Sequence, residues 1–256
     1  MLVEIYKDFD DMYMNLNRKF LLHPEIITSV MSDSGYVENA VIGCKHYDCT
    51  LDLSTFGYTL GKWGHLLKTY INYENLLTFY DKLHTISGVS YTFYFNQKKV
   101  NNGSCLISVV LTRKNRNAKW TGMKVFYRVT ETQRRMAADL VMLNRFINEL
   151  PQDICDIKSV VFFCAQIYCS AKFINGFFDY FGISRDDLDY SHQWINQLRK
   201  DYERYFQKDS EIHSFQTLAR MQKLYLGLTK YDSIDINDLS IKNYFESKNK
   251  KEVKSK

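Results

Sequence analysis

One stretch constrains this chain more than any other. MKVFYRV (residues 123–129) alternates apolar and polar residues, as a strand does. Met136, Leu140, Leu143, Ile147 and Leu150 then recur at spacings of 4, 3, 4 and 3, the stripe of a helix over residues 132–150. Pro151 ends that helix, and KSVVFFCAQIY (158–168) is apolar enough for a central strand. A strand, a one-faced helix and an apolar strand in succession bury their apolar surfaces together only if the helix lies on a sheet. Thr130 and Gln133 are placed to form a capping box at the helix start.

The flanking sequence extends this pattern. Residues 72–84 read as a helix, VSYTFYFN (89–96) as a strand, KKVNNG as a turn and SCLISVVLTR (104–113) as a strand. KNRNAKWTG is a polar connection, and segments 187–207 and 211–228 have helical character. The first fifty residues show no clear period. Strands and helices mix without regular alternation, so the expected class is α+β, a single domain with a mixed central sheet flanked by helices. With two prolines and no Gly/Ser linker, one domain is expected over residues 1–245. Residues 246–256 read as a charged, disordered tail.

Charge narrows the partners. The net charge is +5, but KNKKEVKSK at the end holds five lysines and one glutamate and so contributes +4. The nearly neutral remainder argues against a nucleic-acid partner, which needs a concentrated basic stripe. No apolar run is long enough to span a membrane. MLVEIYKDFDD lacks a secretory apolar core, so the expected compartment is the cytoplasm, that of a virus-infected cell included, and the six cysteines are expected to be thiols.

Asp139 is the anomaly of the helix. It lies about 40° from Leu143 on the helical wheel, inside the apolar stripe. A carboxylate there needs donors or a cation, or it takes up a proton. It either pairs with an arginine such as Arg128 or Arg135, or meets the polar edge of a ligand.

The strand-to-helix junction resembles that of the thymidylate synthase superfamily, which includes the deoxycytidylate and cytidylate hydroxymethylases. That family carries R-S-x-D-x-x-x-G-x-P-F-N, and Arg128 and Asp139 stand at the spacing of its arginine and asparagine. Glu131 stands where the family has its aspartate. Gln166, Ile167 and Tyr168 match the family's H-I-Y, and Cys105, opening a strand 23 positions before Arg128, matches its nucleophile. The match spans roughly residues 90–170. Val129, Arg135, Ala137, Ala138 and Leu106 depart from the pattern, and VSYT lacks the arginine pair that a partner subunit lends, with Lys98 and Lys99 as candidate substitutes.

The resemblance implies a thymidylate synthase-like fold and a nucleotide C5 one-carbon transferase. Cys105 would add as a thiolate to C6 of the pyrimidine and make C5 nucleophilic. Arg128 would bind the phosphate of a pyrimidine nucleoside monophosphate and lower the thiol pKa. Asp139 would read the base, favouring cytosine over uracil. Glu131 would order water or sugar-facing groups, and Gln166 and Tyr168 would hold the sugar. The implied one-carbon donor is 5,10-methylenetetrahydrofolate, with Trp63 read as packing near it or in the core. No metal is implied, and a homodimer packed through the sheet is.

Each residue also has a plainer reading. Cys105 suits a buried core position, Glu131 a helix-dipole acid, and Tyr168 a half-buried strand aromatic. CKHYDC (Cys44, His46, Cys49) lacks a standard zinc spacing. On a strand, Cys164 and Cys169 of CAQIYC would face opposite ways. Arg134 reads as solvated. No glycine-rich phosphate loop is present. The alternative to an enzyme is a catalytically silent nucleotide-binding or interaction protein on the same scaffold.

Overall fold

A computed structural model describes residues 1–96, 105–203 and 233–254 of the chain, with side chains up to residue 248. Two strand–helix–strand crossovers build its sheet. In the first, β1 (Leu2–Tyr6) leads into α1 (Phe9–Leu22), a short strand β2 (Ser29–Met31) and then β3 (Ser34–Cys44), which lies parallel to β1. The Asp8 side chain accepts from the Asp11 amide and caps α1.

Helices α2 (Leu60–Tyr70) and α3 (Tyr73–Thr85) then lead to an antiparallel run, β4 (Ser90–Tyr94), β5 (Leu106–Thr112) and β6 (Trp120–Glu131). The second crossover carries β6 through α4 (Arg135–Asn148) to β7 (Cys155–Ser170), parallel to β6. Short helices α5 (Ala171–Ile174) and α6 (Phe178–Phe181), then α7 (Gln193–Tyr202) and α8 (Ile241–Lys254), complete the described elements. The sheet order is β1-β3-β7-β6-β5-β4, with β2 also paired to β3. The chain is a single mixed α/β domain with a mixed seven-stranded sheet, as its pattern implied.

Helices α1 and α4 cover one face of the sheet. Met12 of α1 and Met136 and Leu140 of α4 meet Ile42, Tyr127, Phe162 and Cys164 there. The other face stays partly open. Phe126 stacks on Phe163 at 5.1 Å, and Val3 and Ile5 are 58% and 71% exposed.

The strands break their alternation at one level. Asn39 of β3 has φ +56°, a left-handed conformation, and regular pairing skips Asn39, Ala165 and Arg128. In β5 the register shifts between Leu106 and Ser108. In β3, β6 and β7 one residue of each strand leaves the pairing without a change of register, and burial changes phase beyond it. Val37 and Ala40 are therefore both buried although three apart. Cys164 and Cys169 are likewise both buried, not facing opposite ways as an unbroken strand requires.

Other expectations are corrected. Thr130 belongs to β6 and its hydroxyl has no partner, so the capping box does not form. Arg134 is half-buried: its Nε donates to the Phe56 carbonyl at 3.3 Å and its guanidinium lies over Phe173. Trp63 is 1% exposed and sealed in the core. Helix α8 runs to Lys254, through most of the segment read as a tail. The KKVNNG turn, Lys98 and Lys99, and the helical reading of 211–228 lie outside the described residues.

Candidate functional site

The break in the sheet brings the candidate residues to one end of β5, β6 and β7. Cys105 and Arg128 stand opposite each other on antiparallel strands, the Arg128 amide donating to the Cys105 carbonyl at 2.9 Å. Tyr168 pairs with Glu131 across the parallel β6 and β7, and Gln166 with Val129. Tyr168 stacks on Tyr36 of β3 at 5.3 Å, and burial first, then the charges of Glu131 and Cys105, push its hydroxyl up to about 12. Gln166 and Tyr168 alternate about the buried Ile167 and share a face.

Glu131 is a helix cap. Its Oε1 accepts from the amides of Gln133 at 2.6 Å and Arg134 at 3.1 Å, and its Oε2 from those of Arg134 at 3.1 Å and Arg135 at 3.0 Å. These are the orphan donors of the α4 N-terminus, so both oxygens are occupied by backbone. Burial raises its pKa and those three amides oppose the rise. Gln133 beside it ties three elements together. Its Nε2 donates to Asn17 of α1 at 3.2 Å and to the Cys169 sulfur at 2.8 Å, and its Oε1 accepts from the Ser170 amide.

Asp139 sits one turn further in, with no surface exposed. Neither of its carboxylate oxygens has a hydrogen-bond partner. The closest cation is Arg135, one turn back, whose Nε lies 3.6 Å from Oδ1. That guanidinium is held by Tyr70 at the end of α2: Nε donates to the Tyr70 hydroxyl at 3.0 Å and Nη2 at 2.6 Å. It also lies over the Tyr70 ring, 4.8 Å from its centre. Burial pushes the Asp139 carboxyl up to about 7, against the pull of Arg135 and the Tyr70 hydroxyl and with a smaller push from Glu131. Such a carboxyl is poised between donor and acceptor near neutrality.

Burial also raises the Cys105 thiol pKa; Arg135 and Arg128 draw it down and Asp139 pushes it up. Burial outweighs the two cations, so the net direction is upward, where an arginine alone would have drawn the thiol down.

Sequence reasoning missed Tyr70 and Tyr127. Tyr127, next to Arg128, turns a fully buried hydroxyl without a partner toward the covered side, and the charges of Asp139 and Tyr70 act on it. A tyrosine on the buried face of an alternating strand was the available signal. Tyr70 carried none, because only folding sets the end of α2 beside α4. Of the metal candidate, Cys44 and Cys49 are buried and His46 is exposed. The Cys44 thiol points at the Asp8 carbonyl. No cluster of three metal-ligating side chains occurs among the described residues.

The chain matches no known family model and no curated protein.

What the arrangement offers is therefore its own chemistry. A half-buried sulfur just before β5, two arginines, a buried carboxyl without a well-formed hydrogen bond and three tyrosine hydroxyls, from α2, β6, β7 and α4, lie toward one end of the sheet. That set suits a small anionic ligand with a polar, planar edge.

Proposed function

We propose that this site binds a pyrimidine nucleoside monophosphate and transfers a one-carbon unit to C5 of its base. The observation that carries the reading is the buried Asp139 carboxyl, which has no well-formed hydrogen bond at either oxygen and only a 3.6 Å ion pair to Arg135, and whose charge acts on Cys105. Leaving such a group without partners costs on the order of 1–3 kcal/mol, and a ligand edge would offset it. Cytosine presents an amino donor and a ring-nitrogen acceptor, which a carboxyl titrating near neutrality complements. Arg128, exposed at the strand end, would meet the phosphate, and Tyr168 a sugar oxygen. Cys105 would add to C6.

The donor implied by the resemblance, 5,10-methylenetetrahydrofolate, would supply the carbon joined to C5. Trp63 is buried in the core and does not fit a stacking role toward it, and no other described residue is assigned to it. The partly open sheet face, with Phe126, Phe163, Val3 and Ile5, supports the proposed homodimer packed sheet to sheet. None of the described helices is long and apolar enough to cross a membrane, in keeping with a proposed place in the cytoplasm.

The half-buried Cys105 thiol, whose pKa burial raises, favours a second reading, a catalytically silent nucleotide-binding protein on this scaffold. Thermal shift with dCMP, CMP and dUMP, with and without folate, followed by tritium release from C5-labelled nucleotide, separates the two. The transferase reading expects a shift with a cytidine nucleotide, tritium release, and loss of release with binding kept in Cys105→Ser. Binding without release supports the silent reading. A shift with dUMP alone overturns the role given to Asp139.

A further inference from the structure

We propose that Arg135 is a positioning residue for Cys105: Tyr70 clamps its guanidinium at the end of the sheet, where it supplies positive charge to the sulfur and Asp139 beneath it opposes that charge. The inference rests on the proposed role of Cys105 for its meaning, and its measurement needs no nucleotide.

The geometry runs through α2. The Tyr70 carbonyl accepts from the Asn96 amide at 2.6 Å, and the Phe95 amide donates to the Ile107 carbonyl at 3.0 Å. The end of α2 is thereby pinned beside the start of β5, where Cys105 lies. The Tyr70 ring packs edge-on to Phe95 at 6.0 Å, which fixes the direction of its hydroxyl. Two donors of Arg135 converge on that hydroxyl. Arg135 then reaches Asp139 only through a 3.6 Å ion pair, without a hydrogen bond to either carboxylate oxygen. The clamp gives the guanidinium's hydrogen bonds to the tyrosine and leaves its ion pair with Asp139 long, so the cation's charge is not taken up by one carboxylate.

The charged groups around Cys105 come from two elements, and two tyrosines from two more lie within its reach. They are Arg135 and Asp139 of α4 and Arg128 of β6, while the Tyr70 hydroxyl of α2 and the Tyr168 hydroxyl of β7 feel the sulfur in turn. Arg135 weighs more on the sulfur than Arg128, although Arg128 is its cross-strand neighbour. Where the family pattern has a glycine, this chain carries the stronger of the two cations.

The test is the pH dependence of iodoacetamide alkylation of the full chain. Cys105 is the one cysteine of six that is not buried, so the fast phase reports it, with Cys105→Ser as the blank. Arg135→Gln is expected to move the midpoint up by about one pH unit, slowing alkylation at pH 8 about tenfold. Arg135→Lys should recover most of that loss. Asp139→Asn should move the midpoint down, and Arg128→Gln should move it up by less than Arg135→Gln does. Tyr70→Phe, which releases the clamp without removing charge, should move it up in part and serves if Arg135→Gln fails to fold. A midpoint unchanged or lowered in folded Arg135→Gln, a larger shift in Arg128→Gln, or no fall in Asp139→Asn overturns the inference. The proposed transferase function stands or falls separately, on nucleotide binding and tritium release.

Discussion

Asp139 concentrates the physics of this protein in one side chain. An aspartate in an unfolded chain titrates near 3.9, whereas here burial holds the carboxyl near 7. A raised acid pKa means that the native state binds the proton more tightly than the unfolded state. Its contribution to stability is therefore complete below about pH 4 and is lost as pH rises through 7. Asp139→Asn should remove that dependence. At pH 8 the variant should be more stable than the parent by on the order of 2 kcal/mol, and the gap should close by pH 4–5. Urea unfolding at pH 4.5, 6 and 8 measures it; a variant equally destabilised at all three would show the carboxylate to be well satisfied. The place of Asp139 was legible in the sequence, because an acid on an apolar stripe has few ways to exist. That its arginine would be shared with Tyr70 was not, since 65 positions of chain separate Tyr70 from Arg135.

At the scale of the element, the start of α4 shows how a cap is chosen. The spacing of Thr130 and Gln133 suited a capping box, but β6 continues through Thr130 to Glu131 and leaves that hydroxyl without a partner. Glu131, the first side chain able to turn onto the helix end, takes all three amides instead. Glu131→Ala is expected to cost about 1–2 kcal/mol, with α4 fraying first in hydrogen exchange. Thr130→Val, which removes an unsatisfied buried hydroxyl at equal volume, should be neutral or stabilising. A costly Thr130→Val would restore the capping box. The periodicity of α4, β4, β5, β6 and β7 was read correctly because each buries one face or two against neighbours in sequence order. β6 and β7 run two or three residues beyond the ends read from sequence, to Trp120–Glu131 and Cys155–Ser170, because polar residues there are paired by neighbouring strands rather than marked by an apolar period.

At the scale of the molecule, the sheet is covered on one side and partly open on the other. Phe126, Phe163, Val41 and Val161 lie half-exposed in its middle, with Lys124 exposed between them. An apolar sheet face of that kind marks an association surface. In the proposed homodimer, Phe163→Glu places a charge in the middle of the interface on each copy. Light scattering at micromolar concentration should then report a dimer for the parent and a monomer for the variant. Two monomers would remove the sheet-to-sheet dimer and leave the nucleotide site to be tested alone.

The sequence by itself determined the α+β class, the strand–helix–strand unit around residues 120–170 and the buried acid in it. Those follow from local period and from the cost of burying charge, which are properties of neighbours along the chain. Only the tertiary structure decided that four strands break at one level, that Tyr70 reaches Arg135, and that Glu131 serves the backbone. Each depends on which distant segments come within a few ångströms, and side-chain spacing carries no record of that distance.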